Sequence, residues 1–586
     1  MSVASRVGKI RVLPDEVVSR IAAGEVVERP AAVVKELVDN SLDAGSTKIT
    51  VDIEDGGRKL IRISDDGEGM LPADAALAFQ RHATSKLRSE HDLFTIRTLG
   101  FRGEALPSIA SVSKVQLVTA PRSEPAGTRL RLAGGALVKS EDTAAAPGTQ
   151  IEVEDLFFNT PARKKFLKTT ATEFSHICQT VQQAALAWPA VRFRLTHNGQ
   201  EVCDYPAALS CRDRVLQVYG LRFVEQSVVV SGARGGLTVA GFSIKPAHQR
   251  SGRNPQELFV NKRAVKHAAV VQAVYQAYGA YLAKGQHPQF VLFVDVDPDR
   301  VDVNVHPTKR EVRFADQDLL FQMVRQAVGA AIGSEARPDP GFVNRQPSFV
   351  IWNEAVPQAI TQMGPQTSLA DISPEVTAGV GMVQESAAAH TSVLAQDVIP
   401  LGQIDRTYIV VQIGSELCVV DQHTAHERVL FERFCRTRLG TAVPSQPLLI
   451  PETVEVPAAG AVLLHRHLSE LQQAGLTLEP FGAHTFVIRA VPALLKPLDY
   501  AALVLDLVDD LSQWSTASPL DTKLRAVMTT LACHGAVRAG RALELPEMKR
   551  LVEEWIQEGL PPTCPHGRLV ALRLPEEKLA RIFGRA

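Results

Sequence analysis

Apolar and polar residues alternate with a period of two over Lys48–Ile53, Leu60–Ser64, Val115–Thr119, Thr128–Leu132 and Gln150–Val153, which predicts strands with one buried face. Helical runs, Pro14–Leu42 and Glu173–Ala187, are interleaved with them, and the turn EDGG at Glu54–Gly57 joins the first two strands as a hairpin. The pattern is α+β: a mixed or antiparallel sheet covered on one face by helices. From about Leu216 a second pattern begins, with strands over Leu237–Phe242, Glu257–Val260 and Gln289–Val294 and a helix over Ala268–Leu282. That is enough for a separate small α/β domain. Between Arg337 and Pro400 the periodicity stops; the stretch has no lysine and is rich in Pro, Ala, Gln, Ser and Thr. Ordering such a backbone would bring little apolar burial in return, so it reads as a flexible linker. Beyond it Tyr408–Val420 makes a hairpin, and helices and strands alternate to the end. The resulting division is 1–215, 216–335, a linker at 336–398, and 399–586.

Composition narrows the classes. With 63 Lys plus Arg against 64 Asp plus Glu, a formal charge of -1, no global basic field draws the molecule to nucleic acid or lipid, so any DNA contact must come from local patches. No apolar stretch approaches the roughly 18 residues of a membrane helix, and the opening MSVASRVGKIRVLPDE lacks a signal-peptide core, which points to a cytosolic protein with no membrane partner. Seven cysteines without tight spacing do not form a disulfide framework and are better read as buried, metal-binding or reactive.

Four segments carry nucleotide chemistry. In PAAVVKELVDNSLDAG, from Pro30, helical geometry places Glu36, Asn40 and Asp43 within roughly 60° of each other, with Val33, Val34, Leu37 and Val38 elsewhere. In ISDDGEGM, Asp65 ends a strand where it could accept from an exocyclic amine, while Gly67 and Gly69 let backbone approach a flat ring. RHATSKL and LGFRGEAL follow; in the second, Gly100 and Gly103 flank Arg102 before a helix, a backbone that offers N–H groups to phosphates. APGTQIEV, with Gly148 and Thr149, starts another strand. Taken singly each has a bland reading as a polar face or a turn. In this order they resemble the GHKL ATPase superfamily, and IAAGEVVERPAAVVKELVDNSLDAG, DDGEGM, RHATSKL, TLGFRGEALPSIASV, LFFNTPARKKFL and VDVNVHPTKREVRF are similar to the signatures of its MutL mismatch-repair family over most of residues 10–330. The resemblance implies a GHKL ATPase α/β sandwich (1–215), a transducer domain (216–335) and a C-terminal dimerisation and endonuclease domain (399–586). It implies Glu36 as general base, Asn40 on Mg²⁺, Asp65 on adenine with Gly67, Gly69 and Thr149 beside it, and Thr84, Ser85, Lys86, Gly100, Phe101, Arg102 and Gly103 over the phosphates of ATP. Lys309 would sense the γ-phosphate from the second domain, and ATP would dimerise the chain.

The C-terminal region adds a candidate metal site. In LCVVDQHTAHERVLFE, Asp421 stands where a strand stops, and His423 and Glu427 are four apart on one helical face. TCPHGRL supplies Cys564 and His566, and LACHGAVRAG adds Cys533 as a further candidate. Softness favours Zn²⁺ for such a set, and phosphodiester cleavage favours Mn²⁺ or Mg²⁺. The segments resemble the endonuclease motifs of nicking MutL proteins, with Thr424 and Leu569 as departures, and imply catalytic roles for Asp421 and Glu427. Phe583 and Arg585 match the family's terminal F-x-R, and Glu432 is expected to be structural.

Basic residues concentrate at Arg163, Lys164, Lys165 and Lys168 and at Arg250, Arg253, Lys262, Arg263 and Lys266; a solvated face is the ordinary reading of each run. In the resembled family such residues imply non-specific DNA contacts, chiefly Arg163, Lys164, Arg263 and Lys266 here. QPLLIP, with Gln446, Leu448, Ile450 and Pro451, resembles its sliding-clamp peptide. The implied assembly is a homodimer in the bacterial cytoplasm, nucleoid-associated in use, working with DNA, the mismatch sensor MutS and the clamp. Two other readings stay open: a matchmaker with structural Zn²⁺ and no nuclease, and a topoisomerase subunit or chaperone, which would leave DQHTAHERVLFE and CPHGRL unexplained.

Overall fold

The computed structural model describes residues 27–86, 98–100, 102–124, 126–282, 286–302, 312–335, 397–437, 443–495, 498–513, 520–537, 540–583 and 585. The first part of the expected Pro14–Leu42 helix, Leu87, Phe101, Lys309 and nearly all of the 336–398 linker lie outside them.

Eight strands form the first sheet: β1 Lys48–Glu54, β2 Leu60–Asp65, β3 Lys114–Ala120, β4 Gly127–Ala133, β5 Ala136–Thr143, β6 Gly148–Glu154, β7 Arg192–His197 and β8 Gln200–Tyr205. Their order is β5-β4-β3-β6-β2-β1-β7-β8. The β1–β7 pair is parallel and the other neighbours are antiparallel, so the sheet is mixed. Alternation along β1 buries Ile49, Val51 and Ile53. They share a core with Val33, Val34, Leu37 and Val38 of the Pro30–Asp43 helix and with Phe174, Ile177 and Val181 of the Thr170–Ala187 helix. Proline at the first position of one helix and the Thr169 hydroxyl, which accepts from the Thr172 N–H of the other, set where they begin. Each fully buried Val or Leu contributes about 1.5–3 kcal/mol. That apolar stripe fixes the helix rotation, and its polar side follows from it.

A second sheet, β12-β11-β13-β10-β9, is built from β9 Ser227–Arg234, β10 Leu237–Ile244, β11 Gln256–Val260, β12 Arg263–Ala264 and β13 Phe290–Val296. The Ala268–Tyr278 and Gln317–Glu335 helices share its core through Val274 and Val324. The short pair β14 Val301–Asp302 and β15 Arg313–Phe314 follows.

The described residues divide into two compact units: residues up to 335 with those of 427–536, and residues 397–426 with those of 537–585. The expected 399–586 region therefore contributes to both. In the first unit, β19 Ser445–Glu455, β20 Thr477–Pro480 and β21 Thr485–Pro492 enclose, with helices Ala458–Gln473, Tyr500–Gln513 and Leu520–Gly535, a core that includes Leu464, Phe486, Leu503 and Met528. The second unit holds the sheet β16-β17-β18-β22, from β16 Val398–Ile404, β17 Tyr408–Ile413, β18 Glu416–Asp421 and β22 Ala571–Leu574, and the Leu545–Gln557 helix, in which Trp555 is buried. The Gln422–Thr437 helix leaves β18 directly and runs unbroken past the division, which falls just before Glu427.

Candidate ATP site and candidate metal centre

Glu36, Asn40 and Asp43 lie on the polar side of the Pro30–Asp43 helix. The Glu36 carboxylate is mostly buried, with the Lys35 ammonium at 3.7 Å; Lys35 pairs more closely with Asp39, at 2.7 Å. Lys86 donates to Asn40 Oδ1 at 2.9 Å and to Asp43 at 2.6 Å. Asp43 ends the helix, where the macrodipole disfavours an anion, and its carboxylate is held by Lys86 and by the N–H groups of Leu99 and Gly100 at 2.7 and 2.9 Å. Lys86 and Gly100, fourteen positions apart in the chain, thus converge on one helix end. A Cβ on Gly100 would come within 3.0 Å of Lys86 Nζ and 3.3 Å of Asn40 Oδ1. Gly103, with φ +63°, sits against Ala83, where a Cβ would stand 2.5 Å from the carbonyl oxygen. Thr84 and Ser85 are exposed, and Thr84 Oγ1 accepts from the Lys86 N–H at 3.2 Å.

Asp65 closes the other end of the site. Its carboxylate accepts from Ser41 Oγ at 2.7 Å, Gly67 N–H at 3.0 Å and Thr149 N–H at 3.2 Å. Burial pushes this carboxyl above its ordinary value, and those hydrogen bonds oppose the shift. Gly69, with φ +70°, lies so close to the Ala120 carbonyl that a Cβ would stand 2.1 Å from it, which makes glycine obligatory. Thr149 Oγ1 meets Thr119 Oγ1 at 2.9 Å. Four segments distant in sequence therefore supply a half-buried acceptor at one end and, at the other, a cation and glycine backbone. Arg102, from the same set, is half-buried.

Arg263 requires a correction. Expected at a DNA surface, it is 8% exposed, and its guanidinium donates to the carbonyls of Leu99, at 3.0 Å, and Thr98. A buried guanidinium engaged by main-chain carbonyls has no face for a phosphate backbone. Burial lowers its pKa, and the neighbouring Asp39, Asp43 and Glu36 counter the shift. Asp43 and Arg263 are the site residues whose roles the sequence did not disclose; the one signal was an acid at a helix C-terminus. Arg163 and Lys164 lie on the short Pro161–Phe166 helix, which has no buried residue, and Lys266 is exposed.

In the second region Asp421 ends β18 and caps the helix, accepting from the N–H groups of His423 at 3.0 Å and Thr424 at 3.1 Å. Glu427, in the first unit, is fully buried; in the second unit Cys564 is buried and His566 exposed. Cys564 is held in a tight turn by its N–H to the Arg568 carbonyl at 2.8 Å and by Gly567 N–H to its own carbonyl at 2.9 Å, with Gly567 at φ +81°. One carboxylate, one thiol and one imidazole suit a borderline-soft divalent ion. Two further expected ligands have other surroundings. His423 Nδ1 donates to the Val537 carbonyl, just past the Leu520–Gly535 helix, at 3.0 Å in the tautomer that bond requires, and Cys533 lies on that helix. Glu432 pairs with Arg428 at 2.5 Å, as a structural residue would.

QPLLIP falls in β19, where the register shifts between Pro447 and Glu452. Gln446 and Pro447 still pair with Val491 and Ala490, and the residues after them stand out of the ladder: Ile450 and Pro451 are exposed, as is Gln446, Leu449 is 99% exposed, and Leu448 packs partly on the core.

The fold and the four-part site define an ATPase of the histidine kinase-, DNA gyrase B- and HSP90-like type, whose family model matches residues 28–156. Residues 215–333 match the C-terminal domain of DNA mismatch repair proteins, and 401–543 match the MutL C terminal dimerisation domain. DNA mismatch repair protein MutL of Anaeromyxobacter dehalogenans (strain 2CP-C) is 40% identical over 98% of this chain and 100% of its own length, and that of Koribacter versatilis (strain Ellin345) is 37% identical over 99% and 100%. The chain belongs to the MutL family of DNA mismatch repair proteins. A solved structure, the Aquifex aeolicus MutL ATPase domain complexed with ADP, aligns at 29% identity over 47% of this chain and 94% of its own, with a TM-score of 0.36. Among the described residues no helix is long and apolar enough to cross a membrane.

Proposed function

We propose that the chain is an ATP-driven homodimeric clamp that couples mismatch recognition by MutS to strand incision, and that it nicks DNA itself. Residues 1–215 bind and hydrolyse ATP, 216–335 transmit the nucleotide state, 336–398 tether, and 399–586 dimerise and cut. Glu36 takes the proton of the attacking water as general base. Asn40 holds Mg²⁺, Asp65 accepts from the adenine amine beside Gly67, Gly69 and Thr149, and Lys86 with the Gly100–Gly103 backbone receives the phosphates. Lys309 senses the γ-phosphate from the second domain. Lys266, Arg163 and Lys164 give salt-sensitive, non-specific DNA contacts. Gln446, Leu448, Ile450 and Pro451 dock on the sliding clamp, for which the raised, exposed segment of β19 is suited.

The observation that carries the nuclease reading is the acid at the end of β18, Asp421, together with a thiol and an imidazole two residues apart in the tight turn of Cys564 and His566, to which Glu427 would add a carboxylate. Zn²⁺ or Mn²⁺ held there would act as a Lewis acid on a phosphodiester. A second reading, a structural Zn²⁺ in a matchmaker without nuclease activity, draws on the thiol in the ligand set and on the hydrogen bonds that occupy Asp421 as a helix cap. Nicking of supercoiled DNA by the purified protein with Mn²⁺ separates them. The nuclease reading expects nicking that Asp421→Asn abolishes while ATPase activity stays; undiminished nicking by Asp421→Asn removes the nuclease role of that acid, and no nicking by the parent leaves the matchmaker.

A further inference from the structure

We propose that Asp43 and Arg263 are positioning residues for ATP, which grip the Thr98–Gly100 backbone from opposite sides so that the stance of this phosphate-facing segment depends on the second domain. Asp43 takes the N–H groups of Leu99 and Gly100, and Arg263 takes the carbonyls of Thr98 and Leu99. The Leu99 peptide groups are therefore held by an acid of the first domain and a base of the second. Neither residue is placed for ordinary stability. An acid at a helix C-terminus is unfavourable until something compensates it, and a guanidinium that is 8% exposed must recover its lost hydration through hydrogen bonds. Both find their compensation in the same three residues.

A separate contact brings Arg263 there. The β11–β12 hairpin turns through Asn261 and Lys262, both in the left-handed region with φ of 46° and 64°. That turn sets the Lys262 ammonium over the Trp188 ring, at 4.5 Å, at the end of the Thr170–Ala187 helix. The hairpin is thus anchored on the first domain on one side of Arg263, and the guanidinium reaches in beside it. On the other side Lys86 bridges Asp43 to Asn40, so the grip extends to the residue proposed for Mg²⁺. A segment held in advance need not be ordered when nucleotide binds, and that ordering is what loss of either residue would restore.

The inference rests on the ATP site proposed above, and the test separates the two. Steady-state hydrolysis and ATP-free thermal unfolding are measured on the full chain for the parent, Asp43→Asn, Arg263→Lys and the double variant. Arg263→Lys keeps the charge and loses the fork that spans two carbonyls, so it preserves the fold better than a truncation. Each single change should raise the KM for ATP about 10-fold with kcat altered by less than about 3-fold, as expected for one charge-assisted grip lost. The double variant should raise it about 10–20-fold rather than about 100-fold, because the first change already frees the segment that the second would free. Unchanged KM in both singles, multiplicative effects in the double, or a fall in unfolding temperature without a KM change would each overturn the proposal. A parent that hydrolyses no ATP would instead overturn the ATP site on which it rests.

Discussion

Asp65 can be altered so that fold and recognition separate. Its carboxylate satisfies the Gly67 and Thr149 N–H groups with Oδ1 and the Ser41 hydroxyl with Oδ2. Asp65→Ala orphans two N–H groups at about 1–3 kcal/mol each, so the ATP-free protein should lose about 3 kcal/mol. Asp65→Asn keeps Oδ1 as acceptor for both, and its new amide can donate to Ser41 Oγ once that hydroxyl rotates, so the fold should lose less than about 1 kcal/mol. Towards the adenine amine, however, the amide turns one acceptor into a donor. Losing a hydrogen bond to a charged acceptor costs about 1.5–3 kcal/mol, or about 10–100-fold in Kd. Calorimetric titration with ATP and thermal unfolding without it measure the two quantities. Asp65→Asn should unfold with the parent and bind ATP about 10–100-fold more weakly. Burial raises the Asp65 pKa, so parental binding should weaken as pH falls towards it, while the Asn variant lacks that dependence. Parental affinity in Asp65→Asn, or a destabilisation equal to that of Asp65→Ala, would refute the adenine assignment.

Three further outcomes are expected. Glu36→Ala should bind ATP and hydrolyse it roughly 10²-fold more slowly in single-turnover assays, whereas Asn40→Ala should fail to bind Mg²⁺-ATP; near-normal turnover of the Glu36 variant would sink its role as base. Gln446→Ala with Ile450→Asp, both exposed on β19, should leave the unfolding temperature unchanged and abolish binding to an immobilised sliding clamp, and retained binding would return QPLLIP to a plain surface segment. Burial raises Asp295 to about 6, with Lys262 opposing. A folded-state pKa above the unfolded value means that ionisation works against the fold, so this contribution to stability falls as pH rises from about 4 through 6. Asp295→Asn should therefore raise the unfolding temperature at pH 7.5 and not at pH 4; equal gains at both would contradict the shift.

The first sheet was legible because a period of two puts Ile49, Val51 and Ile53 on one face and because EDGG supplies two glycines for the positive φ that the turn from β1 to β2 needs. The parallel β1–β7 pair was not, since pairing across so long a separation leaves no local mark. Charge was the poorest guide. Arg263 reads as one more surface base until its burial is seen, and a sequence cannot say whether a guanidinium meets phosphate or main-chain carbonyls. The spacing of His423 and Glu427 put both on one helical face, but it could not show that the histidine ring meets the Val537 carbonyl.

The central claim for the C-terminal half is that Glu427, Cys564 and His566 hold one divalent ion. Metal content of the purified, dialysed full chain, measured by mass spectrometry beside Cys564→Ser, tests it most directly. One Zn²⁺ or Mn²⁺ per chain in the parent, and a large loss in the variant at unchanged ATPase activity, is the predicted result. A metal-free parent that takes up neither ion on titration, or equal metal in Cys564→Ser, would contradict it.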